Sequence, residues 1–396
     1  MVTVNEAKQR IIANSNTLPT VTVPLEKAGG GFLAKDVIAP IALPPFRQSS
    51  MDGYAIVHSD ITQPGTELRL VGESKAGQVD LPVVNIGLAA RIFTGAPVPD
   101  GATAVVMQEN TSAADGIVMI NEFPVPDGKN IRRVGQQIAA GAVALPAGTL
   151  VSPGAIGFLK GMDVNAVTVY SKPRIGLLVT GDELLKSGES LRPGKIYESN
   201  SAMLKAALNQ IGIDSVTISY ASDELHATIE ALKALLEEND VVLASGGISV
   251  GDYDFVGKAL EALGAETIFY KVRQKPGKPL LFGKKKEKLI FALPGNPASS
   301  LVCYYEYVLP ALQKIMGSKE PFLRSVQLPI RHAYRFDGER DEFLKARVEG
   351  NEVVSLDGQE SFVIGSFAIA NALIYLPVSQ NQVAVGELVE VHLLPV

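Results

Sequence analysis

Residues 240–255 read DVVLASGGISVGDYDF, and this stretch decides the fold class. DVVLAS (240–245) is a short, continuous apolar run bounded by turn residues, the pattern of a strand buried on both faces. A turn rich in glycine and hydroxyl residues follows. DFVGKALEALG (254–264) then takes helical spacing and ends on a glycine. Strand, glycine turn and helix in succession are the unit of an open, mainly parallel sheet covered on both faces.

The same alternation extends both ways. Upstream, RIGLLVT (174–180) reads as a buried strand, SNSAMLKAALNQIG (199–212) as a helix and SVTIS (215–219) as a strand. SDELHATIEALKALLEE (222–238) reads as a helix with Ser222 as N-cap and two acids in its first turn. Downstream come the strands ETIFY, PLLFG and LIFAL and a last helix across ASSLVCYYEYVLPAL. In such sheets ligands bind beyond the carboxyl ends of the strands. TGDE (180–183), SGGISVGDYD (245–254) and PGNPASS (294–300) each follow a buried strand, so the three loops are expected to open on one edge and form one site. From about 41 to 170 glycine, proline, valine and alanine dominate, which indicates short strands and sharp turns with a short helix at 152–161. Residues 318–396 are again β-rich.

Composition narrows the function classes. The chain has 396 residues and a formal net charge of −6, which disfavours nucleic acid as a partner because phosphate neutralisation needs a basic face. A single cysteine, Cys303, excludes an intrachain disulfide framework and suits a reducing compartment. No apolar run reaches the ~18 residues of a membrane span, and the start lacks the pattern of a signal peptide; cytoplasm, without membrane association, is the expectation. Four scattered histidines and the lack of HExxH or CxxC argue against zinc or haem. A catalytic metal would then be a hard, oxygen-liganded ion, magnesium first. GxGxxG and GxxxxGK[ST] are also missing, which disfavours dinucleotide oxidoreductases and P-loop NTPases.

The loops carry the chemistry. The turn at 246–251 can aim successive backbone N–H groups at an anion, and LPGNPASS adds an amide and hydroxyls on a proline-stiffened turn. Lys271, Arg273, Lys275 and Lys278 flank a Pro-Gly turn and suit point-charge contacts with an oxyanion. Acids at Asp182, Glu183, Asp252 and Asp254 lie in the same loops. Carboxylates and phosphate coexist when a divalent cation sits between them, so the expected ligand is a phosphorylated or nucleotide-bearing molecule with magnesium. In the N-terminal half, PPFRQSSMDGYAI (44–56) places Asp52 on a glycine-containing turn and RIFTGAPVPDG sets Thr94 before another; each by itself reads as a β-turn.

PPFRQSSMDGYA, RIFTGAPVPDGATAVVMQE, IRRVGQQIAAGAVALPAGT, GLLVTGDEL, GKIYESNSAML, ASGGISVGDYDF, KPGKPLLFG and LPGNPASS occur together, in this order. The set resembles the MoeA family of molybdopterin molybdenumtransferases, which includes the E domain of gephyrin. The match is strong from about 41 to 317 and looser beyond. The resemblance implies a multidomain α/β plus β fold. Residues 1–14 and 171–317 would form the open-sheet, molybdopterin-binding α/β domain. Residues 15–40 and 141–170 would form a linking domain, 41–140 an inserted small β domain, and 318–396 a C-terminal β-barrel-like domain.

It further implies a homodimer whose active site is shared between subunits, with Asp52 and Thr94 serving the partner's site. A molybdopterin adenylyltransferase is the expected upstream partner. The implied reaction inserts molybdate into adenylylated molybdopterin with magnesium and releases AMP. Carried over by motif position, Asp52, Thr94, Glu183, Asp223 and Asp254 are the expected catalytic residues, Glu183 and Asp254 holding the metal. Gly246, Gly247 and Ser249 would cradle an anion, and Lys271, Lys275 and Lys278 would hold oxyanions. Pro294, Gly295, Asn296, Pro297 and Ser299 would shape the pterin and molybdate pocket, with Lys345 and Ser361 contributing from the C-terminal region.

Three departures stand out. Gln136 and Gln137 replace acids usual in the family, Lys345 stands where arginine is frequent, and Glu360 where a small residue is usual. They keep a second reading open, a paralogue that binds or stores the pterin cofactor without turnover. A third reading, an adenylyltransferase on the same α/β domain, is opposed by the SMDGYA half.

Overall fold

Six strands build the central sheet: β1 (Ile175–Thr180), β2 (Val216–Ala221), β3 (Val241–Ser245), β4 (Glu266–Tyr270), β5 (Leu281–Lys285) and β6 (Lys288–Leu293), in spatial order β2-β1-β3-β6-β5-β4. β2, β1, β3 and β6 are parallel, while β5 and β4 continue the sheet antiparallel. The computed structural model describes residues 1–185, 188–248 and 254–395.

The unbroken apolar runs have a simple cause. Successive side chains of a strand point to opposite faces, and both faces here are covered. Leu177 and Val179 of β1, Leu243 of β3 and Phe291 of β6 pack with Leu204 and Leu208 of helix α1 (Asn200–Gln210) and with Tyr304 and Leu312 further along the chain. Leu178, Val242, Ala244 and Ile290 face the other way, onto Leu232 and Leu235 of α2 (Leu225–Glu238) and Val256 and Leu260 of α3 (Phe255–Ala262). One helix start differs from its sequence reading. The N-cap of α2 is Glu224, without a side-chain capping bond, so Ser222 is not the cap and the acids at 223 and 224 precede the first turn.

The chain divides into two units. One comprises Met1–Lys35, Gly148–Ser152 and Thr168–Val396, and the other Asp36–Ala147 with Pro153–Val167. Besides the central sheet, the first unit contains a C-terminal sheet in which Gln274–Lys275, Asp341–Glu349, Ala372–Leu376, Leu388–Leu393 and Ser325–Pro329 pair in that order. The short strand Gln274–Lys275 comes from the Pro-Gly lysine turn and pairs with Asp341–Glu349. The turn therefore ties the two sheets of this unit together.

The second unit holds a six-stranded sheet ordered Ala104–Met107, Gly53–Ile56, Leu88–Ile92, Thr66–Ser74, Ile117–Ile120 and Thr111–Ala114, and the short helix Pro153–Lys160. Ile56, Ala104, Val118 and Ile120 pack on one side of it, and Ala55, Ala90, Ile92 and Val105 on the other. Gly53 opens one strand because a Cβ there would lie 1.9 Å from the Val106 carbonyl oxygen. No helix among the described residues is long and apolar enough to cross a membrane.

Candidate functional site

Parallel register brings three loops together. Val179 of β1 pairs with Ser245 of β3, and Ser245 pairs with Leu293 of β6. The chain therefore leaves all three strands at one level, on one edge. Their loops line a cavity of about 590 Å³, with Thr180, Gly181 and Glu183 from the first, Gly246, Gly247 and Ile248 from the second, and Pro294, Gly295, Asn296 and Pro297 from the third. Asp223, Pro279, the Ile196–Asn200 segment and Phe362 also line it.

The glycine pair is required by the packing. Gly246 and Gly247 have φ of +90° and +62°, and a Cβ would lie 2.6 Å from the Thr180 carbonyl oxygen at the first and 2.7 Å from Thr180 Oγ1 at the second. Bare backbone thus passes directly over the end of β1. The rest of that loop, including Ser249, Gly251 and Asp252, lies outside the described residues.

Polar contacts knit the loops. Asn200 Nδ2 donates to Ser245 Oγ (2.9 Å) and to the Gly295 carbonyl (2.8 Å). Glu198 caps the start of α1 by accepting from the Ser201 N–H (2.7 Å) and from its hydroxyl. Asp182 N–H donates to Asp223 Oδ2 (3.1 Å) and Asp223 N–H to Asp182 Oδ1 (3.2 Å), which joins the loops after β1 and β2. This exchange engages Asp223, an expected catalytic residue, with the neighbouring loop. Thr180 Oγ1 and Asn200 Oδ1 are buried without a hydrogen-bond partner among the described residues. An unsatisfied buried polar atom costs about 1–3 kcal/mol, and both belong to residues of the cavity wall.

The expected residues fall into four groups. Glu183, Asp223, Gly246, Gly247, Pro294, Gly295, Asn296 and Pro297 share the cavity. Ser361 joins them through its Oγ, which accepts from Asn296 Nδ2 at 2.8 Å. Asp254 and Ser299 are not among the lining residues. Asp254 is the N-cap of α3, accepting from Gly257 N–H at 3.0 Å, and its charge together with burial pushes the Tyr270 hydroxyl up to about 12. Ser299 is buried inside the helix Pro297–Cys303, which Asn296 opens as N-cap.

Of the lysine turn only Pro279 lines the cavity. Lys275 Nζ pairs with Glu342 Oε1 at 2.9 Å, and Lys271 Nζ lies over the Tyr270 ring, 4.8 Å from its centre; Lys278 is not a lining residue either. Lys345 requires a correction. It is 1% exposed and donates to the carbonyls of Gly358, Glu360 and Val363, so its ammonium is consumed by the protein and holds no oxyanion.

In the second unit Asp52 and Thr94 meet. Asp52 Oδ1 accepts from the Thr94 N–H (2.7 Å) and from its hydroxyl (2.8 Å), and these two bonds hold the carboxyl below its ordinary range. Arg91, stacked between Tyr54 and Phe93, donates to the Gly53 carbonyl at 2.8 Å and orders the same turn. Gln136 Oε1 accepts from the Arg133 N–H at 3.0 Å, a turn contact that a carboxylate would make equally.

Sequence reasoning assigned no role to Thr180, Glu198, Asn200 or Phe362. GKIYESNSAML was a recognisable motif, so Glu198 and Asn200 carried a signal; Phe362 carried none.

Comparison with known proteins gives three successive matches along the chain. Residues 2–162 match the MoeA N-terminal region (domain I and II), 176–314 a probable molybdopterin binding domain, and 327–394 the MoeA C-terminal region (domain IV). A molybdopterin molybdenumtransferase of Haemophilus influenzae is 34% identical over 404 residues, covering 99% of this chain and 98% of that protein. One from Staphylococcus aureus is 31% identical over 400 residues, covering 99% and 95%. The crystal structure of a molybdopterin biosynthesis MoeA protein from Pyrococcus horikoshii superposes with a TM-score of 0.85 at 28% identity, covering 99% of this chain and all of that one. With end-to-end matches in sequence and in fold, the chain belongs to the MoeA family.

Proposed function

We propose that this protein inserts molybdate into adenylylated molybdopterin in a magnesium-dependent reaction that releases AMP. The observation that carries the reading is the cavity at the carboxyl edge of the sheet, where bare glycine backbone, a proline-stiffened polar loop and acids from two further loops converge. The name shared by the Haemophilus and Staphylococcus relatives supports the same chemistry.

The residues suit magnesium. The Glu183 carboxylate lines the cavity and has no hydrogen-bond or ion-pair partner among the described residues. Among those residues no three His, Cys, Asp or Glu side chains are grouped to hold a metal by themselves. A magnesium ion there would take its remaining ligands from substrate phosphates and water. Glu183 would hold it from the cavity lining; Asp254, expected as a second ligand, caps α3 outside that lining. When bound it would offset the charge of phosphate and carboxylate and polarise the oxygens it touches. The backbone over β1 would bind phosphate, and Asn296 and Ser361 would orient the guest.

Release of AMP from adenylylated molybdopterin with magnesium, with and without molybdate, tests the proposal. Molybdate-dependent release is expected. Tight binding without release would instead make the chain a cofactor-holding member of the family, with Gln136 and Gln137 the first residues to restore to acids.

The proposal includes a homodimer in which Asp52 and Thr94 of one subunit serve the partner's site. Inactive Asp52→Asn and Glu183→Gln proteins, mixed equally with exchange of subunits, are then expected to regain about a quarter of wild-type turnover: half the dimers are mixed, each with one intact site of two. Strictly no recovery would refute the shared site.

A further inference from the structure

We infer that the loop between Asp357 and Ser366 is a ligand-contacting wall of the cavity, that Phe362 on it receives a planar heteroaromatic ring of the guest, and that Lys345 is the positioning residue that holds Phe362 there. This rests on the proposal that the cavity takes a pterin nucleotide.

The loop is built around one ammonium. Lys345 lies on the strand Asp341–Glu349 and donates from Nζ to the carbonyls of Gly358, Glu360 (3.3 Å) and Val363 (2.8 Å). Its backbone grips the same segment. Lys345 N–H donates to Gln359 Oε1 (3.0 Å), and Gln359 Nε2 donates back to the Lys345 carbonyl (2.8 Å). Ser366 closes the base by donating to the carbonyls of Asp357 (2.7 Å) and Gly358 (3.1 Å). Gly358, at φ +70°, lets the chain wrap so tightly that a Cβ would lie 2.8 Å from Val363 Cγ1.

Three carbonyl oxygens aimed at one point repel one another unless a cation satisfies them. An ammonium is costly to bury, and burial lowers the Lys345 pKa from its ordinary value, with Glu360 opposing the shift. An apolar side chain would fill the same space without that cost, so the charge is there to shape the loop.

What the loop presents points to the guest. Its tip carries Ser361, bonded to Asn296 of the cavity, and then Phe362, which lines the cavity while 67% exposed. Ile196 and Tyr197, both exposed, lie on the same lining. A phenyl ring held out on a braced loop at a polar cavity offers a flat apolar face, which suits stacking with a heteroaromatic ring. Adenine and the pterin both have that chemistry.

Two measurements test this. In steady-state AMP release, Phe362→Ala and Lys345→Met are each expected to raise KM about tenfold with kcat within about twofold, and Lys345→Arg to restore KM. Unchanged KM in Phe362→Ala would overturn the ring contact. In parallel titrations with AMP alone, weakened binding to Phe362→Ala would assign the contact to adenine; wild-type AMP affinity alongside the raised KM would assign it to the pterin. In ligand-free protein, amide hydrogen exchange across 357–366 is expected to accelerate in Lys345→Met but not in Lys345→Arg, and equal exchange in all three proteins would overturn the brace. Exchange needs no substrate, so a wild type that released no AMP would refute the proposed function while this arm still judged Lys345.

Discussion

Glu183→Gln is expected to lower molybdate-dependent AMP release by about a hundredfold or more while leaving the thermal midpoint within about 2 °C of wild type. Glutamine matches glutamate in shape, so the turn that presents residue 183, held by the Ile196 N–H donating to the Glu183 carbonyl at 2.9 Å, is kept. Gly181 adopts φ +141°, and a Cβ there would come within 2.9 Å of the Glu183 carboxylate oxygens, so the side chain folds back over bare backbone. The substitution therefore removes one negative charge from the cavity and little else. A neutral amide neither balances a divalent cation nor accepts a proton usefully. Full activity in this variant, assayed across a magnesium titration, would take Glu183 out of the reaction.

Glu306→Ala is expected to reduce unfolding free energy by about 3–5 kcal/mol, the usual cost of leaving buried cations without their partner. Glu306 sits in the π-helical turn Tyr304–Val308 and is 2% exposed. Lys8 Nζ from the N-terminal helix Val4–Asn14 lies 2.6 Å from one carboxylate oxygen and His392 Nδ1 from the last strand 2.7 Å from the other. Burial by itself would raise the Glu306 pKa, but Lys8 and His392 bring it down to about 2. Burial would likewise lower that of His392, yet Glu306 and Glu390 raise it to about 9. The His392 contribution is therefore complete below its unfolded value near 6.5 and is lost as pH rises through about 9. The Glu306 contribution is complete above about 4.5 and is lost as pH falls through about 2. Denaturant unfolding at pH 7 measures the substitution, and a wild-type series from pH 7 to 10 measures the titration. Equal stability at both ends of that series would show that the His392 charge does not contribute.

Much of the fold and part of the site were legible before any coordinates. RIGLLVT and DVVLAS read as buried strands because helices cover both faces of the sheet, so neither alternate set of side chains is free to be polar. Parallel strands leave the sheet on one edge, which is why TGDE, the glycine loop and PGNP were expected to meet and do. Eight ordered motifs then identified the family.

The tertiary structure decided the partners. Ser222 satisfies every local rule for a cap, but α2 begins later, and Asp223 instead exchanges bonds with Asp182, 41 residues away in the chain. The family resemblance placed Lys345 at the pocket; strand periodicity gives the face a side chain takes, not which carbonyls await it there. Nothing around Phe362 marks it as a cavity residue until the Lys345 brace and the Asn296 contact place its loop. Periodicity, capping and turn chemistry act between near neighbours, so the sequence by itself determined the elements, their order and the edge on which the loops open. Which side chains bond across those loops depends on groups brought together only when distant strands pair, and that was decided by the folded chain alone.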